Sequence, residues 1–180
     1  MKRGHRSLLA ACVALLLLPA SGHAALPKPK RQQIVVPASI GGVELKQRIR
    51  EADAAWGSSG YCDLSPGFQS CTYESKDPRK GHAEIDAAVQ KRVSSFAIVA
   101  GRDEEGHFVF EGKLLRFRTP EGIGLGDKGR KIGRAYPDAI KTAGKTGYLI
   151  EGKGKSYMTV QTLGGKRITA ITVVDGLHQG

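Results

Sequence analysis

The chain has 180 residues, with 28 lysines and arginines against 17 aspartates and glutamates, and its formal net charge is +11. This length favours a single domain that can bury a core without a cofactor to hold it together. With five phenylalanines, five tyrosines and one tryptophan, aromatic platforms for dedicated nucleic-acid binding are sparse. The charge therefore points to an envelope polyanion, an acidic protein or solubility alone.

The first 24 residues have the three parts of a secretory signal peptide. Lys2, Arg3 and Arg6 precede an apolar run over residues 7–18, and small residues stand before a cleavage point after Ala24. The run is shorter than the about 20 apolar residues that span a bilayer. We therefore predict a secreted, extracytoplasmic protein with no transmembrane span in its mature form, where 25 basic and 17 acidic residues leave a net charge of +8.

The three cysteines have different predicted roles. Cys12 fits a bacterial lipoprotein pattern, but it lies inside the apolar run, which favours ordinary cleavage over a lipid anchor. Cys62 and Cys71 remain in the mature chain, and an even pair in an oxidising compartment favours a disulfide. The alternative is a metal pair completed by His82, although two thiols and one histidine make a poor zinc pattern.

The mature chain begins with a predicted flexible arm over residues 25–38, which combines three prolines with Lys28, Lys30 and Arg31. A first unit follows over residues 39–101. Its apolar residues are spaced as on one face of a short helix that ends at Gly57. Three short strands rich in β-forming residues then follow, at about residues 71–75, 83–89 and 93–99.

A connector over residues 102–118 separates this unit from a second one over residues 119–176, which leaves a tail over 177–180. The second unit is predicted to contain a helix at about Asp127 to Ala135, then strands at 147–151, 156–163 and 167–174. Gly164-Gly165 is a strong hairpin turn between the last two strands. Residues 108–117 of the connector fit either a further strand or a crossover.

Two echoes within the sequence predict that these units are related. Residues 91–101 (KRVSSFAIVAG) return at 166–176 (KRITAITVVDG), and GVEL at residue 42 returns as GIGL at residue 122. Two echoes in the same order indicate a duplicated supersecondary unit. The predicted fold class is α+β, with two tandem units that each contain a short helix and about three antiparallel strands.

These motifs resemble two families of secreted or envelope proteins. The unit combines a Gly-hydrophobic-x-Leu-Gly segment, a short helix closing on an aromatic residue, a cysteine pair and a sheet ending in Gly-(Gly)-Lys/Arg-Val/Ile-x-x-Ile. Used twice, it resembles the tandem-repeat secreted proteins related to β-lactamase inhibitor protein, best in residues 122–126 (GIGLG) and 164–168 (GGKRI). The unit is also similar to the small outer-membrane assembly lipoproteins called BamE or SmpA. The resemblance implies fold more than partner, and no segment matches an inhibitory loop.

Catalytic constellations are sparse, so we expect no enzyme, no cofactor and no metal. Nucleophilic catalysis needs a histidine base, and the mature chain has only His82, His107 and His178, of which the last is three residues from the end. Glu84 and Asp86 point to the same side of a predicted strand, which keeps a secreted hydrolase as the third hypothesis after two binding functions.

The first functional hypothesis is a protein-binding module that docks an unidentified extracytoplasmic protein or envelope component on an exposed sheet face. Alternation along the last two strands predicts that Met158, Val160, Ile171 and Val173 face the core. The opposite, uncharged positions are the predicted partner-binding residues, namely Tyr157, Thr159, Gln161, Ala170 and Thr172.

The second hypothesis is an electrostatic binder of cell-wall or membrane polyanions. The predicted helix of the second unit concentrates four basic residues that would form the patch, which are Lys128, Arg130, Lys131 and Arg134. A solvated charged face is the alternative interpretation of this patch.

Overall fold

The structure is a computed structural model that describes residues 25–88, 91–142, 144, 146–152 and 154–176. The predicted signal peptide, the interpretation of Cys12 and the predicted tail over 177–180 lie outside these residues. Within the described ranges, no helix has the length and apolar character needed to cross a bilayer.

Two short α-helices and thirteen β-strands succeed each other along the described chain. The helices are α1 (Ile49–Ala55) and α2 (Ile132–Ala135). The strands are β1 (Ile34–Val35), β2 (Ser39–Ile40), β3 (Val43–Glu44), β4 (Tyr61–Asp63), β5 (Gln69–Glu74), β6 (His82–Ala87), β7 (Val93–Val99), β8 (Gly101–Arg102), β9 (Phe108–Val109), β10 (Ile140–Lys141), β11 (Gly147–Glu151), β12 (Ser156–Leu163) and β13 (Arg167–Asp175). Single 3₁₀ turns cover Pro78–Lys80, Lys113–Arg116 and Gly129–Lys131.

Eight strands form one antiparallel sheet in the order β10-β11-β12-β13-β7-β6-β5-β4. The prediction of two tandem units, each with a helix and about three strands, is therefore wrong. The two echoed segments fall on β7 and β13, and these strands pair with each other in the middle of the sheet, with Thr172 opposite Ala97. Two separate units would each leave such a strand as an exposed edge with unpaired backbone groups, and the pairing satisfies those groups.

Two smaller sheets complete the strand structure. Strands β1, β2 and β3 form one of them, and β8 pairs with β9 in the other. The sequence left open whether residues 108–117 form a further strand or a crossover. They contain the two-residue strand β9, which completes the β8–β9 hairpin, and then the 3₁₀ turn at Lys113–Arg116.

The helix predicted before Gly57 is confirmed as α1, and it is held by the aromatic residue that follows it. Trp56 is fully buried, donates from its Nε1 to the Ile40 carbonyl at 2.9 Å, and meets the Tyr73 ring edge-on at 5.1 Å. The Tyr73 hydroxyl donates to Asp53 Oδ1 at 2.7 Å. These contacts attach α1 to the inner face of β5.

The second helix is shorter than predicted. Asp127 to Ala135 divides into the 3₁₀ turn at Gly129–Lys131 and the four-residue helix α2. Two glycines in nine residues weaken the helix, because each lowers helix stability by about 0.8 to 1 kcal/mol relative to alanine. The fully buried Ile132 attaches the segment to the core.

The segment expected to be a flexible arm lies against the body of the protein. Leu26 is buried, the Ala25 amide donates to the Ser59 carbonyl at 2.7 Å, and the Lys28 amide donates to the Trp56 carbonyl at 2.9 Å. The arm therefore lies on the same face of the large sheet as α1, α2 and the connector. That face carries the apolar core, which includes Phe96, Ile85, Met158 and Ile171.

Candidate functional site

The predicted disulfide between Cys62 and Cys71 is confirmed. The two cysteines are register partners on β4 and β5, so the bond joins the edge strand to its neighbour. His82, the third member of the alternative metal pair, pairs with Glu74 at the far end of β5 and lies on the opposite face of the sheet from the buried Cys71. The bond supports the prediction of a secreted protein, because disulfides persist in oxidising compartments.

The face of the large sheet opposite the core carries three rows of register partners, and we call these rows the open face. The first row is Ile140, Leu149, Thr159, Thr172, Ala97, Glu84, Thr72 and Tyr61. The second row is Glu151, Tyr157, Val174, Ser95, Asp86, Ser70 and Asp63. The third row is Gly147, Gln161, Ala170, Val99, His82 and Glu74.

The predicted binding residues on β12 and β13 all occupy the open face, and the four predicted core residues are buried. Gln161 is exposed, while Tyr157, Thr159 and Thr172 are half-buried. Ala170 is only 6% exposed, so the prediction that it is accessible is wrong. Its register partners on the neighbouring strands are Gln161 and Val99.

The open face is divided by charge along the strand order. Its β10–β13 part contains one acidic residue, Glu151, whereas its β4–β6 part contains four, which are Asp63, Glu74, Glu84 and Asp86. The three rows hold no lysine or arginine, although the predicted mature chain carries a net charge of +8. The open face is therefore an acidic surface on a basic protein.

Glu84 and Asp86 are the most perturbed members of this acidic part. Partial burial raises the pKa of Glu84, the neighbouring Asp86 carboxylate raises it further, and His82 opposes the shift. Partial burial also raises the pKa of Asp86, against the hydrogen bond that its Oδ2 accepts from the Ser95 hydroxyl at 2.9 Å. Two half-buried like charges two residues apart on one strand repel each other, and a cationic group placed between them would relieve that repulsion.

The same two carboxylates are the pair that kept the hydrolase hypothesis open. They stand about 7 Å apart along β6, given two residues of strand rise. Their surroundings are an open sheet rather than the concave pocket that encloses a reacting sugar. His107 is exposed with Nδ1 at 3.6 Å from Asp103 in the turn between β8 and β9, and His178 lies outside the described residues.

The predicted polyanion patch forms part of the opposite side of the molecule. Lys128, Arg130, Lys131 and Arg134 are all exposed along the 3₁₀ turn and α2. Lys131 Nζ is 2.9 Å from Asp127 Oδ1, and Arg118 also pairs with Asp127, so one acidic group offsets part of this charge.

The sequence analysis missed the aromatic residues at the acidic end of the open face. Tyr61 is 68% exposed and Phe68 is 64% exposed, both beside the disulfide-linked strands β4 and β5. Tyr61 belongs to the first row with Glu84. The alternation of Ser70, Thr72 and Glu74 with the buried Cys71 and Tyr73 in the sequence was the pattern that could have identified this face.

Comparisons with known proteins give a fold but no family. No protein-family model matches the chain, and no curated protein sequence matches it. A crystal structure of an extracellular protein containing a SCP domain from Bacillus anthracis str. Ames matches with a TM-score of 0.50 and 10% identity over 82% of this chain and 49% of that one. A cysteine-rich secretory protein from Staphylococcus aureus subsp. aureus Mu50 matches with a TM-score of 0.42 and 13% identity over 84% and 49%.

The match to the Bacillus anthracis structure corrects the resemblance drawn from the sequence motifs. That structure is not a β-lactamase inhibitor protein or a BamE-like repeat, and the short glycine motifs that suggested those families stand at turns that many antiparallel sheets need. The chain spans about half the length of each matched structure. The chain therefore shares its fold with about half of an extracellular, SCP-domain-containing protein.

Proposed function

We propose that this protein is a secreted, non-enzymatic binding module that docks a basic extracytoplasmic protein on its open face. The observation that carries the proposal is the charge division between this acidic face and the basic remainder of the chain. Electrostatic complementarity of this kind guides orientation and association rate. Because the rest of the surface is basic, a basic partner is repelled in other orientations, and the open face becomes the favoured docking surface.

The dimensions of the open face suit a protein partner. Eight strands at about 4.8 Å spacing make it about 34 Å wide, and three rows give it about 500 Å². A standard interface buries about 800 Å² on each partner, so the face can supply more than half of one side and the flanking loops would supply the rest. Its half-buried Tyr157 and exposed Tyr61 are the residue type that most often dominates binding energy.

Crosslinked capture from the native extracytoplasmic fraction tests the proposal when the mature protein is compared with matched variants. Glu84→Gln/Asp86→Asn removes two charges from the open face, and Glu44→Gln/Glu51→Gln removes two exposed charges from β3 and α1, which lie outside that face. We expect a basic protein whose capture falls about tenfold with the first variant, about 1.4 kcal/mol, and is unchanged with the second. Capture that both double variants retain would refute the proposal.

A further inference from the structure

A second charged site lies beside the start of α1, away from the open face. Arg48 and Arg50 come from the beginning of α1, and Lys91 and Arg92 come from the turn between β6 and β7. Backbone contacts hold the two segments together, because Arg48 and Arg92 form an antiparallel bridge and the Ile49 amide donates to the Lys91 carbonyl at 3.2 Å. Four cationic side chains from two segments therefore line the same cavity.

These side chains line a cavity of about 510 Å³, which is within the range of small-ligand sites. All four are exposed, and none forms an ion pair with an acidic residue in the described part of the chain. The Arg92 Nη1 group donates to the Lys46 carbonyl at 2.8 Å, which fixes its position without neutralising its charge. The cavity therefore has an uncompensated positive potential.

Gln69 gives this cavity a buried polar group without a partner. Its side chain is part of the cavity wall and the residue is only 3% exposed. Its Nε2 donates to the Leu64 carbonyl at 2.8 Å and to the Ser65 carbonyl at 3.4 Å, and these bonds fix the orientation of the amide. Its Oε1 has no donor among the described residues, and a buried acceptor left in this state is unfavourable.

We propose that this cavity binds an anionic saccharide, meaning a sugar that carries a phosphate, sulfate or carboxylate group. The oxyanion would pair with the guanidinium groups of Arg48 and Arg50, which match such oxygens in geometry. A neighbouring sugar hydroxyl would donate to Gln69 Oε1 once the groups that cover this atom move aside, because it has almost no accessible surface in the unliganded structure. An anion without a hydroxyl donor meets only the first requirement, so charge alone gives weaker binding.

The cavity differs from the predicted polyanion patch in two ways. Cations from two segments converge on one concavity, whereas Lys128, Arg130, Lys131 and Arg134 come from one continuous segment, and Lys131 is paired with Asp127. A ligand in the cavity is also partly enclosed, which reduces screening by salt. The proposal does not depend on the open face, because the two surfaces share no residue.

Calorimetric titration of the mature protein tests the proposal with four probes: glucose 6-phosphate, a galacturonate oligomer, inorganic phosphate and glucose. We expect glucose 6-phosphate or the oligomer to bind at least tenfold more tightly than inorganic phosphate, and glucose not to bind. Tighter binding of the oligomer would indicate a polymer as the source of the ligand, and tighter binding of the monosaccharide would indicate a small sugar. If neither charged sugar binds more tightly than inorganic phosphate, or if neither binds at all, the proposal is overturned.

Matched variants locate the binding site. Arg48→Gln/Arg50→Gln should weaken binding of the charged sugar at least tenfold, and Arg130→Gln/Arg134→Gln should leave it unchanged. Gln69→Leu should remove the preference for sugar phosphate over inorganic phosphate while affinity for inorganic phosphate stays the same. If Gln69→Leu does not fold, the arginine pairs still decide, and equal loss in both pairs would contradict a site at this cavity.

Discussion

The two halves of the large sheet, β4–β7 and β10–β13, share an architecture but present different chemistry. Each half is a run of four antiparallel strands preceded by a short helix, and the inner face of both is apolar. Outward positions differ, because the first half presents four carboxylates, and the second half presents threonines, a tyrosine and one glutamate. Inward positions must fill a shared core, while outward positions are free to diverge, so differences between the halves should appear in binding.

The strongest test of this comparison asks whether the halves unfold together. Phe96 is fully buried in the first half and Met158 is 1% exposed in the second. We expect Phe96→Ala to lower the free energy of unfolding by about 3 to 5 kcal/mol and Met158→Ala by about 2 to 5 kcal/mol, through lost burial and the cavity left behind. Chemical denaturation followed by fluorescence and circular dichroism should show one transition in both variants, since β7 and β13 join the halves. A separate early transition in either variant would mean that the halves are independent.

The disulfide lies in the first half, where it links the edge strand β4 to its neighbour β5. It closes a loop of nine residues, and its removal in Cys62→Ser/Cys71→Ser should cost about 2 to 3 kcal/mol. Hydrogen exchange should show the loss concentrated in β4 and β5, because β4 is a three-residue edge strand. For the unchanged mature protein, mass measurement without reductant should give a value about 2 Da below the mass of the form with two free thiols. Equal loss of protection in β11 and β12 would contradict a local role.

The sequence predicted the strands better than their assembly. Gly147–Glu151 and Ser156–Leu163 have their predicted bounds, because alternation and turn glycines are local properties. Pairing between β7 and β13 joins residues far apart in the chain, and the echo that marks these strands does not state that they pair with each other. An internal echo fits separate units and one merged sheet equally well.

The candidate sites also differ in how much of each could be predicted from the sequence. The open-face positions of β12 and β13 follow from period-two alternation, so they were predictable. Ala170 shows the limit of that rule, since alternation gives the direction of a side chain and not the shielding by its neighbours. The cavity at Arg48 and Lys91 could not be predicted, because its two segments meet only through tertiary hydrogen bonds.

A comparison of two tyrosines tests which half of the open face carries the binding energy. Tyr157 lies on the inner strand β12 and is half-buried, whereas Tyr61 lies on the edge strand β4 and is 68% exposed. We expect Tyr157→Ala to weaken partner capture by about 2 kcal/mol, because partly desolvated tyrosines dominate interfaces. Tyr61→Ala should have a smaller effect, and both variants should keep the unfolding transition of the unchanged protein within about 0.5 kcal/mol. A larger loss of capture with Tyr61→Ala would place the centre of the interface over the acidic half.

The smallest expected effect concerns the carboxylates of the first half and its sign depends on pH. The raised pKa values of Glu84 and Asp86 mean that the folded protein binds more protons than the unfolded chain between the ordinary and the raised values. Stability from these groups is therefore present below that window and falls as the pH rises through it. Glu84→Gln/Asp86→Asn should raise the free energy of unfolding at neutral pH by about 0.2 to 1 kcal/mol, the usual size of same-face pair effects in sheets. The difference in the free energy of unfolding should shrink as the pH falls, because the unchanged protein then becomes protonated at both positions.

Denaturation measured from pH 3 to pH 7 would check this prediction, with Glu104→Gln/Glu105→Gln as the control. Greater stability of the variant together with weaker capture would show that the first half keeps these charges for binding, at the expense of stability. A variant that is less stable at neutral pH would show instead that the pair stabilises the fold.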